Sequence, residues 1–195
     1  MSPFKTPGPD GFNVDFFQKN WDMVSNEVCK TILHSLNNAV IGTDLNSTFI
    51  ALIPKTKNPM SVTNYRPISL CNVLYKIISK VFASQLKVVL PHIISPTQSA
   101  FILARLITNN ISAAYETLHI IYSCMWGKEG YMTIKIDMNK AYDRVEWSFL
   151  EKVMKKMGFA SQWIKLIMMC VSIAHYAILV SGIPMGRIIP TRGIK

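Results

Sequence analysis

The chain is short of acids. Only 11 of its 195 residues are Asp or Glu, against 21 Lys and Arg, which leaves a formal net charge of +10. Charge of either sign is scarce as well, at 16% of residues against 50% apolar, and this excludes an intrinsically disordered chain. Cysteine is sparse. Cys29, Cys71, Cys124 and Cys170 lie far apart, with no C-x-x-C pair and no His at metal-ligand spacing, so neither a zinc site nor a disulfide framework is expected and the thiols read as buried. Met1 to Asp10 lacks the apolar core of a signal peptide. The most membrane-like stretch, Ile164 to Val180, is at the short limit for spanning a bilayer and is interrupted by Lys165, Ser172 and His175, which weighs against a transmembrane reading. These absences point to an intracellular protein in a reducing compartment, without a membrane partner. The length suits one domain, or a domain with a small appendage, burying roughly 70% of the unfolded chain's surface.

The acids present are unevenly placed. None occurs from Leu45 to Tyr115, where Lys55, Lys57, Arg66, Lys76, Lys80, Lys87 and Arg105 stand, and none after Glu151, where Lys152, Lys155, Lys156, Lys165, Arg187, Arg192 and Lys195 follow. Acid-free basic runs favour a polyanionic partner. Scattered lysines also serve as a solvated face, and composition alone leaves both readings open.

Pro7-Gly8-Pro9-Asp10-Gly11 is a rigid turn, since two prolines fix φ and two glycines permit positive φ. Spacings of three and four predict one helix over Asp15 to Val40, another from Val73 closed by Pro91, and a third over Leu106 to Tyr122 entered at Ser95-Pro96-Thr97. A turn is expected at Lys128-Glu129-Gly130. Thr48 to Ile53 is a β-prone run that stops at Pro54. Met132, Ile134 and Ile136 alternate with Thr133, Lys135 and Asp137, which predicts a strand with Asp137 at its end. Asp143 and Glu146 have the spacing of a capping box for a helix whose stripe is Val145, Phe149, Leu150, Val153, Met154 and Met157, stopped at Gly158. A short helix over Trp163 to Cys170 precedes a strand, a Ser181-Gly182 turn and a second strand. The class is α+β, helix-rich, with small antiparallel sheet elements.

Asp137 carries the chemical interest. A carboxylate at a strand end, beside Lys135, suits a divalent metal facing a phosphate, because Mg²⁺ takes hard oxygen ligands. On spacing alone an ordinary strand-end turn is an equal reading, and Asp143 and Glu146 read first as helix caps.

The motifs, in order, are Pro7-Gly8-Pro9-Asp10-Gly11-Phe12, Leu52-Ile53-Pro54-Lys55, Tyr65-Arg66-Pro67-Ile68-Ser69-Leu70-Cys71-Asn72, Gln98-Ser99-Ala100-Phe101, the run from Lys135 to Trp147, and Arg192-Gly193-Ile194. Together they resemble the reverse transcriptase of plant LINE-type, non-LTR retrotransposons, over essentially the whole chain but only about the first two thirds of that polymerase domain. The resemblance implies an RNA-directed DNA polymerase built as a right hand, with fingers and an N-terminal helical region over 1–130 and a partial palm over 131–195. It implies Asp137 as a catalytic, metal-binding aspartate, with the Met138 backbone carbonyl as a second oxygen ligand for Mg²⁺. It places Tyr142 under the incoming sugar and Lys55 and Arg66 on the triphosphate. Arg105 falls near template and nucleotide. The implied partners are an RNA template, a DNA primer and a deoxynucleoside triphosphate, and the implied location is nucleus or cytoplasm.

The chain departs from that pattern where Ala104 precedes Arg105 and Asn109 stands at or near an acidic position. With no carboxylate after Glu151, two of the three catalytic aspartates have no counterpart. The expectation is therefore a polymerase fragment without turnover, and the alternative is a non-catalytic basic module that binds RNA or DNA.

Overall fold

The computed structural model describes residues 1–123 and 130–194, so Cys124 and most of the turn expected at Lys128-Glu129-Gly130 lie outside the described residues. The chain divides into two compact units, Met1–Phe82 with Lys140–Lys195, and Ala83–Asn139.

In the first unit the proline-glycine turn closes through a Gly11 N–H to Gly8 carbonyl bond of 3.1 Å and leads to Asn13, whose side chain caps α1 (Val14–Lys19). The sequence pattern predicted one helix here; two form. Asn20 separates α1 from α2 (Trp21–Asn38), because its amide donates to the Phe16 carbonyl at 2.8 Å and closes the first helix locally. The β-prone run becomes β1 (Ser47–Pro54), paired antiparallel with β2 (Tyr65–Cys71). Sequence periodicity did not reveal β2, since Pro67 removes a ladder donor; it is tolerated because β2 is an edge strand.

Helix α3 (Val73–Ile93) starts as expected but runs through Pro91, which falls in its final turn. Helices α5 (Trp147–Lys156) and α6 (Ser161–Ser172) and strands β3 (His175–Val180) and β4 (Ile183–Ile188) complete the unit. The four-stranded sheet has the order β2-β1-β3-β4, and β1 and β3 pair in parallel, which joins the two antiparallel hairpins into one mixed sheet. Val28 and Ile32 of α2, Ile78 and Phe82 of α3, and Leu166 and Cys170 of α6 form the buried core with Ala39 and Ile41. Ile78 is fully buried, a position where such a side chain contributes about 1.5–3 kcal/mol.

Three further expectations fail in this unit. The capping box does not form: Asp143 lies in a 3-10 turn, Ala141–Arg144, and α5 begins later, with Glu146 at its N-cap making no side-chain cap bond. Extended Val145 (φ −66, ψ 117) separates turn from helix, so the two carboxylates cannot share one helix entry. The apolar stripe of α5 is also narrower than predicted, with Met154 buried but Phe149 and Met157 exposed. The thiols are not uniformly buried either: Cys170 is, Cys71 is intermediate and Cys29 is exposed on α2.

The second unit holds the C-terminal part of α3, a run of turns, α4 (Ile107–Ser123) and an extended segment. Ser95-Pro96-Thr97 forms a turn closed by the Ser95 and Thr97 hydroxyls, 2.8 Å apart, instead of a helix entry. The predicted strand at Tyr131–Asp137 is absent. Alternation makes such a segment amphipathic, but a strand also needs a ladder partner, and none lies beside it among the described residues; Met132, Ile134 and Ile136 are 80%, 67% and 88% exposed.

Candidate active site

The hairpin β1–β2 positions two of the candidate nucleotide-binding cations. Ile53 pairs with Arg66 and Pro54 with Tyr65, so Lys55 and Arg66 occupy the same end of the ladder. The Lys55 N–H donates to the Asn64 carbonyl at 2.7 Å and its ammonium to the Thr63 carbonyl at 2.8 Å, which ties the side chain back onto the loop. Arg66 is exposed and forms no ion pair among the described residues. A guanidinium in that state keeps its fork of donors for a phosphate.

The hairpin is anchored through Asn72, which is 4% exposed at the junction of β2 and α3. Its side-chain carbonyl accepts the Asp10 N–H at 3.2 Å, and its amide donates to the Asp44 and Leu45 carbonyls at 3.0 and 3.4 Å. Gly8 packs so close that a Cβ there would meet the Cys71 carbonyl carbon at 2.6 Å. One buried amide thus joins the N-terminal turn, the Thr43–Asn46 turn and the hairpin. Sequence reasoning assigned Asn72 no role; the available signal was a polar side chain directly before an apolar helix.

Tyr142, 58% exposed, lies in the Ala141–Arg144 turn. That turn is clasped by the C-terminal segment: Ile194 N–H donates to the Tyr142 carbonyl at 2.9 Å, Gly193 N–H to the Val145 carbonyl at 2.8 Å, and Trp147 Nε1 to the Gly193 carbonyl at 2.8 Å. Arg192 and Glu146 close the clasp as an ion pair at 3.5 Å. Gly193 has φ +89, and a Cβ on it would stand 3.1 Å from the Asp143 carbonyl oxygen. Burial raises the hydroxyl pKa of Tyr176 on β3, and Cys71 and Asp143 raise it further. Burial likewise raises Tyr75, and it pushes the Cys170 thiol up to about 12. The Cys170 carbonyl accepts from Tyr75 Oη at 3.0 Å and from Asn46 Nδ2 at 2.9 Å, so these three polar groups satisfy one another.

The remaining candidates belong to the second unit. Asp137 and Met138 are exposed in the extended segment of the second unit, while Tyr142 belongs to the first. Arg105 donates to the Ser95 and Gln98 carbonyls at 2.5 and 2.6 Å and to the Ile94 and Pro91 carbonyls at 3.3 and 3.4 Å. It collects acceptors left at the end of α3 and holds the following turn. Among the described residues no group of three or more His, Cys, Asp or Glu side chains could hold a metal ion. Of the predicted ligands, the described residues thus supply one exposed carboxylate and an adjacent carbonyl, which do not by themselves fit a complete polymerase metal site.

Comparison with known proteins supports a reverse transcriptase domain. The model of the family described as reverse transcriptase (RNA-dependent DNA polymerase) matches residues 53–191. A Xenopus laevis protein described as an uncharacterized 149 kDa protein of transposon TX1 is 28% identical over 160 residues, which cover 82% of this chain. The aligned region spans 12% of that relative's own length.

Proposed function

Because the chain belongs to the reverse transcriptase (RNA-dependent DNA polymerase) family, we propose that it forms the fingers and first palm segment of a LINE-type, non-LTR retrotransposon polymerase of the kind plant genomes carry. Its action is intracellular, in the nucleus or cytoplasm, and its ligands are an RNA template, a DNA primer and a deoxynucleoside triphosphate. The observation that carries this reading is the family match from 53 to 191, which takes in the hairpin bearing Lys55 and Arg66 and the segment bearing Asp137 and Tyr142. Residues 1–130 act as fingers and 131–195 as part of the palm. Lys55 and Arg66 bind the triphosphate, Tyr142 lies under the sugar, and Arg105 supports that region by holding the turn after α3. Asp137, with the Met138 carbonyl, supplies oxygen ligands toward the family's two-metal, Mg²⁺-dependent nucleotidyl transfer.

Residues 1–195 contain no carboxylate after Glu151 and no described metal-binding group, so this polypeptide alone is expected not to catalyse synthesis. Primer extension on an RNA template tests both halves of the reading. The 195-residue chain should add no nucleotide, whereas a longer polypeptide carrying a Tyr-x-Asp-Asp hairpin should, and Asp137→Asn in that polypeptide should cost at least about 100-fold. Magnesium-dependent synthesis by the 195-residue chain would overturn the inactivity. The +10 charge supports a second reading, a non-catalytic basic module, which predicts RNA binding without extension in either polypeptide.

A further inference from the structure

The first unit carries a cleft of about 350 Å³ whose lining includes none of the candidate residues above: Thr43, Asp44, Ser47, His175, Tyr176, Ala177, Gly186 and Arg187. Register explains it. Ser47 pairs with His175 and Phe49 with Ala177, so Ser47, His175 and Ala177 share the sheet face opposite buried Thr48 and Ile50. On β4, Met185 pairs with Ile178 but Ile188 pairs with Tyr176, which inserts one extra residue opposite β3. Gly186, at φ +67, supplies the left-handed backbone of that bulge. A bulge re-aims the side chain beside it, and here Arg187 lines the cleft instead of continuing the strand's alternation. Asp44 lines it from the Thr43–Asn46 turn, yet no ion pair joins the two, or joins either to another described residue. His175 Nδ1 lies 2.7 Å from the Ile173 carbonyl, so in the neutral ring Nδ1 holds the proton and Nε2 remains an acceptor.

We propose that this cleft binds one ribonucleotide of an RNA strand, with its phosphate on Arg187 and its 2′-hydroxyl donating to Asp44. A guanidinium offers a phosphate two parallel donors, an ionised carboxylate only accepts, and the 2′-hydroxyl is the group that separates RNA from DNA. The separated pair of opposite charges matches a ligand that is anionic at one point and a donor at another. A bare anion would be repelled by Asp44, and a cation by Arg187. The proposal rests on the nucleic-acid partner of the polymerase reading but not on its chemistry.

The test is fluorescence anisotropy of the 195-residue chain with a short fluorescein-labelled oligouridylate and its deoxy counterpart. Arg187→Ala should weaken RNA binding roughly ten-fold and Arg187→Lys should restore only part of it, while Asp44→Ala, which removes both the acceptor and the charge that repels phosphate, should abolish the preference for RNA without weakening deoxy binding. The His175 ring proton resonances should shift on RNA titration in the parent chain and not in Arg187→Ala. Matching thermal melts of parent and variants show that the fold is kept. RNA affinity that both substitutions leave unchanged, or a His175 ring that ignores RNA, overturns the cleft and leaves the polymerase reading intact. Cleft binding in a longer polypeptide that never extends a primer overturns the polymerase reading alone.

Discussion

Ser181 and Gly182 both take positive φ, 51° and 83°, in the tight turn between β3 and β4. A two-residue hairpin of this kind favours Asn ahead of Gly, because Asn tolerates the left-handed region better than Ser. Ser181→Asn is therefore expected to stabilise the unit by about 0.5 kcal/mol, read as a higher urea midpoint. The buried hydroxyl and thiol groups set a different residue-scale expectation. Burial pushes Cys170 from 9.0 to about 12 and raises Tyr75 and Tyr176 above 10.0, so the folded chain holds protons that the unfolded chain releases first. Their contribution is complete below the unfolded values, around 9, and declines as pH rises from there toward the folded values. Urea midpoints should thus fall on the alkaline side and stay level through neutrality as far as these groups are concerned. A Cys170→Ala variant should show a shallower decline.

Among the elements, the clasp between 192–194 and the Ala141–Arg144 turn depends on one glycine. Gly193→Ala meets both an unfavourable φ of +89 and the Asp143 backbone at 3.1–3.3 Å, and is expected to cost about 1–3 kcal/mol. The loss should be local, with faster amide exchange at Ile194 and a changed Trp147 emission, since both bond within the clasp. The same scale shows what sequence pattern can carry. The helices over 73–93, 107–123 and 161–172 were legible because three-four spacing and helical backbone are both local. Strands β1, β3 and β4 were legible from β-prone runs ended by Pro54 and turned at Ser181-Gly182. Tyr131–Asp137 has as clean an alternation as any of them and forms no strand, because a strand is completed by a neighbour and alternation does not supply one. β2 is the converse: its pattern is spoiled by Pro67, and pairing with β1 makes it a strand nonetheless.

For the whole molecule the governing quantity is the charge of +10. Binding to single-stranded RNA should weaken with salt, by a slope of about −0.7 on logarithmic axes for each phosphate neutralised. Anisotropy titrations across a salt series check this, and a flat response would remove polyanion binding from either functional reading. The charge, the α+β class, the motif order and the single unaccompanied Asp137 follow from the sequence alone, because composition and local spacing need no tertiary contact to exist. The tertiary structure decided the rest. It chose which charges are occupied, placing Arg105 among four carbonyls and leaving Arg66 without an ion pair among the described residues, and it built the Asn72 junction and the Gly193 clasp from residues distant in the chain and the Arg187 bulge from the register of β3 on β4. Such features arise from hydrogen-bond partners and strand register, and those are settled only when separate segments pack together.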